Sequence, residues 1–177
     1  MTKSRRIALS ALFIALSVVL TRFLSIRIVL FGVEGIRIGL GDLPILLAGF
    51  LLGPIEGAVV GAVSDIVGYL ISPMAGPYMP HFTLTSAVEG WLPAMLYKYV
   101  FKKSGTFRSI FVAIAIGQFI VSVIMVPYFI HILFGIPYAL LMPSYSISYG
   151  IALLIYPLFI WRALKFLPNL SIALKKG

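Results

Sequence analysis

Residues 76–90, GPYMPHFTLTSAVEG, form a polar segment between long apolar ones and carry several side chains able to bind a small molecule. Pro77 and Pro80 prevent a continuous helix through this segment, so a helix is predicted to start near Phe82. Residues three, four and seven positions further along share one face of that helix. That face carries Phe82, Thr85, Ser86 and Glu89. We interpret it as one side of a pocket that opens at the outer end of the helix.

The polar residues around this helix start have two interpretations. Tyr78, His81 and Thr83 are assigned to the same pocket because they lie beside or within its first turn. Alternatively, Thr83 and Thr85 bond to the backbone of their own helix and face no ligand. Glu89 favours the pocket, because a carboxylate inside an apolar segment needs a partner that backbone capping does not supply.

Two other segments contribute candidate binding residues. Arg22, Arg27 and Arg37 lie in or beside the connection after the first apolar segment, and guanidinium groups bind carboxylates or phosphates. This connection has no regular period, so the arginine that contacts a ligand is not predicted. Tyr145 and Tyr149, four residues apart, either stack on a flat ring or form part of an aromatic belt at a membrane boundary. Together these groups predict a small planar ligand that is anionic at one end and a hydrogen-bond donor at the other.

Three of the four other acids lie in or beside apolar segments and have possible structural roles. Asp65 lies within such a segment, where it either forms a helix–helix hydrogen bond or lines a wet cavity. Asp42 is expected to pair with Arg37 or Arg22, and Glu56 to reach water near an inner turn.

Catalysis and metal binding are not expected. The chain has two histidines and no cysteine, too few ligands for a typical zinc site, and no cofactor is predicted. The sequence contains no P-loop motif and no nucleophile–base pair of the kind a hydrolase needs. A binding pocket without its own energy source implies a partner, and an intramembrane enzyme or a scaffold is the less favoured alternative.

Composition predicts that lipid surrounds most of the chain. It has 177 residues, of which 61% are hydrophobic and 11% charged, whereas soluble domains have about 25% charged residues. We therefore predict an all-α integral membrane protein in which residues 1–177 form one six-helix domain. The helices are expected at about 6–24, 39–53, 55–72, 82–101, 108–130 and 146–166. The second and third are short and form a hairpin around Gly53 and Pro54.

The basic residues predict the orientation of the helices. Three clusters precede the first helix, surround the fourth connection and follow the last helix, and they hold eleven of the 14 basic residues. They comprise Lys3, Arg5 and Arg6, then Lys98, Lys102, Lys103 and Arg108, then Arg162, Lys165, Lys175 and Lys176. Basic residues accumulate on the cytoplasmic side of membrane proteins. Six helices with both termini in the cytoplasm satisfy this pattern.

Small residues mark possible close helix contacts. Ala8, Ala11 and Ala15 form a stripe on the first helix, where a partner helix can approach closely in lipid. This stripe is the candidate docking surface, although packing within the chain is the alternative. Two glycine pairs at the same four-residue spacing are expected to pack inside the chain: Gly49 with Gly53, and Gly57 with Gly61.

Three stretches resemble the substrate-binding S components of energy-coupling factor (ECF) vitamin transporters, most closely the folate group. They are IRIGLGDLPILLAGFLLGPIEGAVVGAVSDIVGYLI at 36–71, GPYMPHFTLT at 76–85 and LFGIPYALLMP at 133–143. The resemblance extends over nearly the whole length. It implies a six-helix S-component fold, vitamin capture at the extracellular side under loops one and three, and association with a transmembrane coupling subunit and two cytoplasmic ATPases. It also implies that Ala11 and Ala15 dock to the coupling subunit.

The resemblance implies folate as the ligand. An arginine of the first outer connection would hold the glutamyl carboxylates, and Glu89 would accept hydrogen bonds from the pterin. The rings would lie between the aromatic residues Tyr78, Phe82, Tyr145 and Tyr149. Ser144 and Tyr145 stand where the folate group tends to have arginine, and the fifth helix lacks the asparagine typical of that group. Another vitamin, such as pantothenate, a queuosine precursor or riboflavin, is therefore the alternative.

Overall fold

The computed structural model describes residues 3–23, 26–30, 33–38, 40–71 and 78–166. Six helices account for most of them: α1 Lys3–Phe23, α2 Asp42–Leu52, α3 Pro54–Ile71, α4 Pro80–Met95, α5 Phe107–Phe134 and α6 Tyr138–Phe166. Helix α4 continues into a π-helical turn, Leu96–Val100, and the middle of α5, Phe119–Met125, is also π-helical. Each helix overlaps one predicted segment, so the predicted number of helices agrees with the described residues.

The last helix begins earlier than predicted. It starts at Tyr138 rather than near 146 and contains Pro143, which was expected to lie before the helix. A helix in lipid must satisfy its backbone groups internally, and this requirement favours continued helix through a proline. Tyr145 and Tyr149 therefore lie inside α6 and not at its start, which corrects their predicted location.

Four helices, α1, α3, α5 and α6, are long and apolar enough to cross a membrane. Helix α2 has 11 residues and measures about 16 Å, about half of the roughly 30 Å apolar core of a bilayer. Its residues from Leu43 to Leu52 are all buried. This short helix therefore forms the centre of the bundle. We call the end of the bundle near Gly53 and Lys103 the inner end, and the opposite end the outer end.

Helices α2, α3 and α4 touch through glycines. A Cβ placed on Gly57 would lie 2.3 Å from the carbonyl oxygen of Gly90 and 2.6 Å from the Cα of Gly49. A Cβ on Gly61 would lie 2.1 Å from the carbonyl oxygen of Ser86. Such distances leave no room for any side chain, and they confirm that these predicted glycines pack within the chain. Gly90, which completes the contact from α4, was not predicted.

Two short strands add to the helical fold and were not predicted. Strands β1, Ile26–Leu30, and β2, Val33–Ile38, pair antiparallel in the connection between α1 and α2. The backbones of Arg27 and Arg37 are register partners. Strand β2 lies against α6. The hairpin therefore places the backbones of two of the three candidate arginines opposite each other in the connection between α1 and α2.

Candidate ligand-binding site

Asp65, Tyr78 and Thr83 form an outer polar cluster that joins α3 to the start of α4. The Thr83 hydroxyl donates to Asp65 Oδ2 at 2.6 Å, and the Tyr78 hydroxyl lies 2.6 Å from Thr83 Oγ1. The Tyr78 ring packs on Tyr69, with centroids 5.3 Å apart. Of the two interpretations of Asp65, the helix–helix hydrogen bond is therefore observed. Thr83 bonds across to α3, so the alternative of bonding to its own helix is wrong for this residue.

Arg22 lies beside this cluster, in the last turn of α1. A Cβ placed on Gly68 would lie 3.0 Å from Arg22 Nη2 and 3.3 Å from Nε. The guanidinium group therefore rests on the surface of α3, where glycine leaves it room. Gly68 is one turn from Asp65 on the same helix face. Arg22 thus brings positive charge to the outer end of α3. The side chains of Arg27 and Arg37 lie outside the described residues.

Phe82 and Tyr145 belong to an outer apolar cluster between α4, α5 and α6. Tyr145 is buried with Ile130 and Leu141, and Phe82 packs against this group. Two of the predicted ring-binding residues therefore come together from separate helices. Phe82 directly precedes Thr83 in α4, so the outer polar and outer apolar clusters are neighbours along that helix.

Glu89 lies deeper, and it has a partner that the sequence pattern did not predict. Gln118 Nε2 of α5 donates to Glu89 Oε1 at 2.6 Å, and Ser122 donates to Gln118 Oε1 at 3.0 Å. Glu89 is 8% exposed and Gln118 2%. Six residues of helix place Glu89 about 9 Å below Thr83. The single amide in the apolar run of α5 was the available signal, since buried polar groups in lipid need partners.

Three other predicted residues make contacts that do not join these clusters. Thr85 donates to the Phe82 carbonyl of its own helix at 2.7 Å, which matches the alternative interpretation of this threonine. His81 is exposed, with its ring 5.0 Å from that of Phe129. The Tyr149 hydroxyl donates to the Ala115 carbonyl at 3.2 Å. The residues from Phe82 to Glu89 that were predicted to line one pocket therefore make separate contacts and do not form a single pocket face.

Asp42 has a different partner from the expected one. Tyr156 of α6 donates to Asp42 Oδ2 at 3.1 Å. The preceding residue, Gly41, accepts a hydrogen bond from the buried Ser17 of α1 at 2.8 Å. These contacts anchor the outer end of α2 to α1 and α6. The expected pairing with Arg22 is not among the contacts of the described residues, where Tyr156 bonds Asp42 instead.

Glu56 pairs with Arg6 at the inner end and does not simply reach water. Arg6 also donates to the Leu52 carbonyl at 3.2 Å, so it links α1 to the turn between α2 and α3. A cavity of about 280 Å³ lies beside this link, at the opposite end from the outer polar and outer apolar clusters.

The alanine stripe on α1 faces outward. Ala8, Ala11 and Ala15 are all exposed, whereas Ser17 and Val18 further along the helix are buried. The stripe is not used for packing within the described chain, so the alternative of internal packing is wrong for these alanines. A surface of small side chains is open to another helix.

The chain is similar to known transport proteins over nearly its whole length. A curated relative, "Folate transporter FolT" of Clostridium novyi (strain NT), is 32% identical over 163 residues, which cover 92% of this chain and 89% of the relative. A solved structure described as "Crystal structure of FolT bound with folic acid" is 28% identical, with a TM-score of 0.72, and the match covers 92% of this chain and 94% of the other.

A second solved structure has the same fold. It is described as "Structure and mechanism of the S component of a bacterial ECF transporter", with 22% identity, a TM-score of 0.70 and coverage of 94% and 99%. The family model "ECF-type riboflavin transporter, S component" matches residues 1–159. The resemblance stated from the sequence is confirmed, and the relatives are transport subunits rather than enzymes. The chain belongs to the membrane-embedded S-component family of ECF-type transporters.

Proposed function

We propose that this chain captures folate at the extracellular side and delivers it to an ECF module of a transmembrane coupling subunit and two cytoplasmic ATPases. The assignment of folate as the substrate depends on the similarity to a folate transporter and to a structure bound with folic acid. The outer clusters support it chemically. Arg22 supplies a guanidinium group for a carboxylate, and Phe82 and Tyr145 supply aromatic surface for a ring.

We assign the pterin to Asp65 rather than to Glu89. Gln118 already bonds Glu89, which is almost fully buried. Asp65 is half-buried, and Thr83 occupies only its Oδ2, while a carboxylate has about four acceptor positions. Oδ1 and the second acceptor position of Oδ2 are suited to the two parallel N–H donors of the amino-pyrimidinone edge. Arg22, on the same helix surface, would then hold the glutamyl end.

Riboflavin is the second candidate, because the matching family model is described by that vitamin. Riboflavin has a planar ring but no carboxylate, so it offers nothing for Arg22 to neutralise. The two ligands therefore make different predictions for an arginine variant.

Titrating the purified chain with folate, pteroate and riboflavin tests the substrate. Pteroate keeps one benzoate carboxylate but lacks the two glutamyl carboxylates, so Arg22→Gln should lower folate affinity about 10- to 100-fold and pteroate affinity by less. Arg5→Gln, an exposed arginine at the inner end of the same helix, is the control and should bind folate normally. Tight riboflavin binding without folate binding would refute the proposal.

We propose that the exposed alanine stripe docks to the coupling subunit. Ala11→Trp should abolish folate uptake by cells that contain the whole transporter, because a bulky ring prevents close helix approach. Binding by the isolated chain should persist. Leu16→Trp, also exposed on α1 but turned away from the stripe, should leave uptake intact. Loss of binding in Ala11→Trp would contradict the docking assignment.

We also propose that the inner end faces the cytoplasm, following the distribution of basic residues. The chain has no cysteine, so single cysteines can be labelled without background. Ala139→Cys, exposed at the outer end, should react with an impermeant maleimide in intact cells. Ser104→Cys, exposed at the inner end, should react only after the cells are opened. The reverse pattern would overturn the orientation.

A further inference from the structure

A cleft of about 280 Å³ lies at the inner end of the bundle, away from the proposed vitamin site. Its lining brings together the start of α1, the turn between α2 and α3, and the end of α4, with Arg6, Tyr97, Lys98 and Lys103 among the residues. Small-molecule pockets usually measure roughly 300–1,000 Å³. This cleft is slightly smaller, and it fits a polar headgroup better than a vitamin.

The cleft carries excess positive charge. Among the described residues, Glu56 pairs with Arg6, but Lys98 and Lys103 form no ion pair. Lys98 Nζ lies 5.1 Å from the ring centroid of Tyr99. Arg6 Nε is buried and has no hydrogen-bond partner in the described part of the chain. Two uncompensated ammonium groups and an unused guanidinium donor therefore surround one cleft, an arrangement that favours an anionic ligand.

The backbone at the edge of the cleft supports a functional role for the Lys103 side chain, which lines the cleft. Lys102 and Lys103 have φ values of 48° and 53°, a left-handed conformation that is unfavourable for residues with a Cβ and natural for glycine. The Lys103 N–H donates to the Tyr97 carbonyl at 3.0 Å and holds this turn in place. Strained positions of this kind are concentrated at functional sites.

We propose that the cleft binds the phosphate group of an anionic phospholipid. Lysine is a common phosphate ligand, and the cleft lies where the helices end, at the level of lipid headgroups. Basic groups at this level attract anionic lipids. The site is independent of the vitamin, because it lies at the other end of the bundle from Arg22 and Asp65.

Counting bound lipids by native mass spectrometry tests this proposal. The purified chain is taken from membranes containing equal amounts of phosphatidylglycerol and phosphatidylcholine, and one phosphatidylglycerol should remain bound. Lys103→Gly should reduce its retention about fivefold. Lys102→Gly is a matched control, because it removes the same charge and relieves the same backbone conformation but does not line the cleft. It should retain the lipid.

Lys98→Gln is a second variant, and it leaves the turn at Lys102 and Lys103 unchanged. Its retention of phosphatidylglycerol should also fall about fivefold. Added inorganic phosphate should compete with the retained lipid if the phosphate group is what the cleft recognises. Equal retention of phosphatidylcholine would overturn the proposal, as would equal losses in the Lys102 and Lys103 variants. Binding of inorganic phosphate with no retained phosphatidylglycerol would also overturn it, because the source of the phosphate would not be a lipid.

Discussion

Gly90→Ala is expected to destabilise the bundle strongly, because α3 and α4 touch through their backbones at Gly90. A Cβ on Gly90 would lie 2.1 Å from the carbonyl oxygen of Gly57 and 2.9 Å from Cγ2 of Ile45. Ordinary contact begins at about 3.4 Å, so the first distance must grow by about 1.3 Å. Overpacking costs about 1–3 kcal/mol. We expect about 3 kcal/mol here, because a helix carbonyl cannot rotate away as a side chain can.

Thermal unfolding of the purified chain in one detergent measures this cost. For a chain of this size, about 3 kcal/mol corresponds to a fall in Tm of about 6–12 °C. Folate binding should weaken as well, because α4 carries Phe82 and Thr83. Gly150→Ala is the matched control: it lies within α6, and a Cβ there would meet no atom within 4 Å. Alanine favours helix over glycine by about 1 kcal/mol, so this variant should melt at the same temperature or higher.

The contact between α3 and α4 would be refuted by a Gly90→Ala protein that melts within about 2 °C of the parent, less than the shift for 1 kcal/mol. Equal destabilisation of the Gly150→Ala protein would also contradict it, because that result would show a general sensitivity to changes in helix glycines.

Three further variants test the polar contacts. Gln118→Leu removes the donor to buried Glu89 and should cost about 1–3 kcal/mol in thermal unfolding; an unchanged Tm would show that this hydrogen bond contributes little. Asp65→Asn keeps an acceptor for Thr83 but removes the charge, so folate affinity should fall about tenfold at unchanged Tm; normal affinity would exclude Asp65 from the site. Arg6→Gln breaks a partly exposed ion pair and should cost less than about 1 kcal/mol; a larger loss would indicate a tighter link between α1 and α3.

Short-range sequence patterns predicted the helices well. Apolar runs and prolines located all six, and the four-residue glycine spacing identified the contact surfaces of α2 and α3. The β-hairpin was not predicted, because its strands are short and the connection was interpreted as having no regular period, although apolar and polar residues alternate at 26–28 and 36–38. The start of α6 was placed too late, near 146 instead of Tyr138, and Pro143 lies inside the helix because lipid favours continued helix.

The candidate site was predicted less completely. Phe82 and Tyr145 do come together, and Thr83 does bond away from its own helix. Spacing along α4 placed Glu89 on the same face as Phe82, but it could not show that Gln118 would bond it from another helix. Glu89 and Gln118 are 29 residues apart, so no local sequence pattern predicts that they pair.

The sequence by itself determined that the chain is embedded in lipid, how many helices it forms and which end carries the basic residues. These properties depend on composition and on periodicity within single segments. Only the tertiary structure decided which polar groups are already paired and which remain for a ligand. That depends on contacts between helices that are distant in sequence, such as Thr83 with Asp65 and Tyr156 with Asp42. A buried polar group must find its partner wherever packing brings one, and packing is a property of the whole bundle.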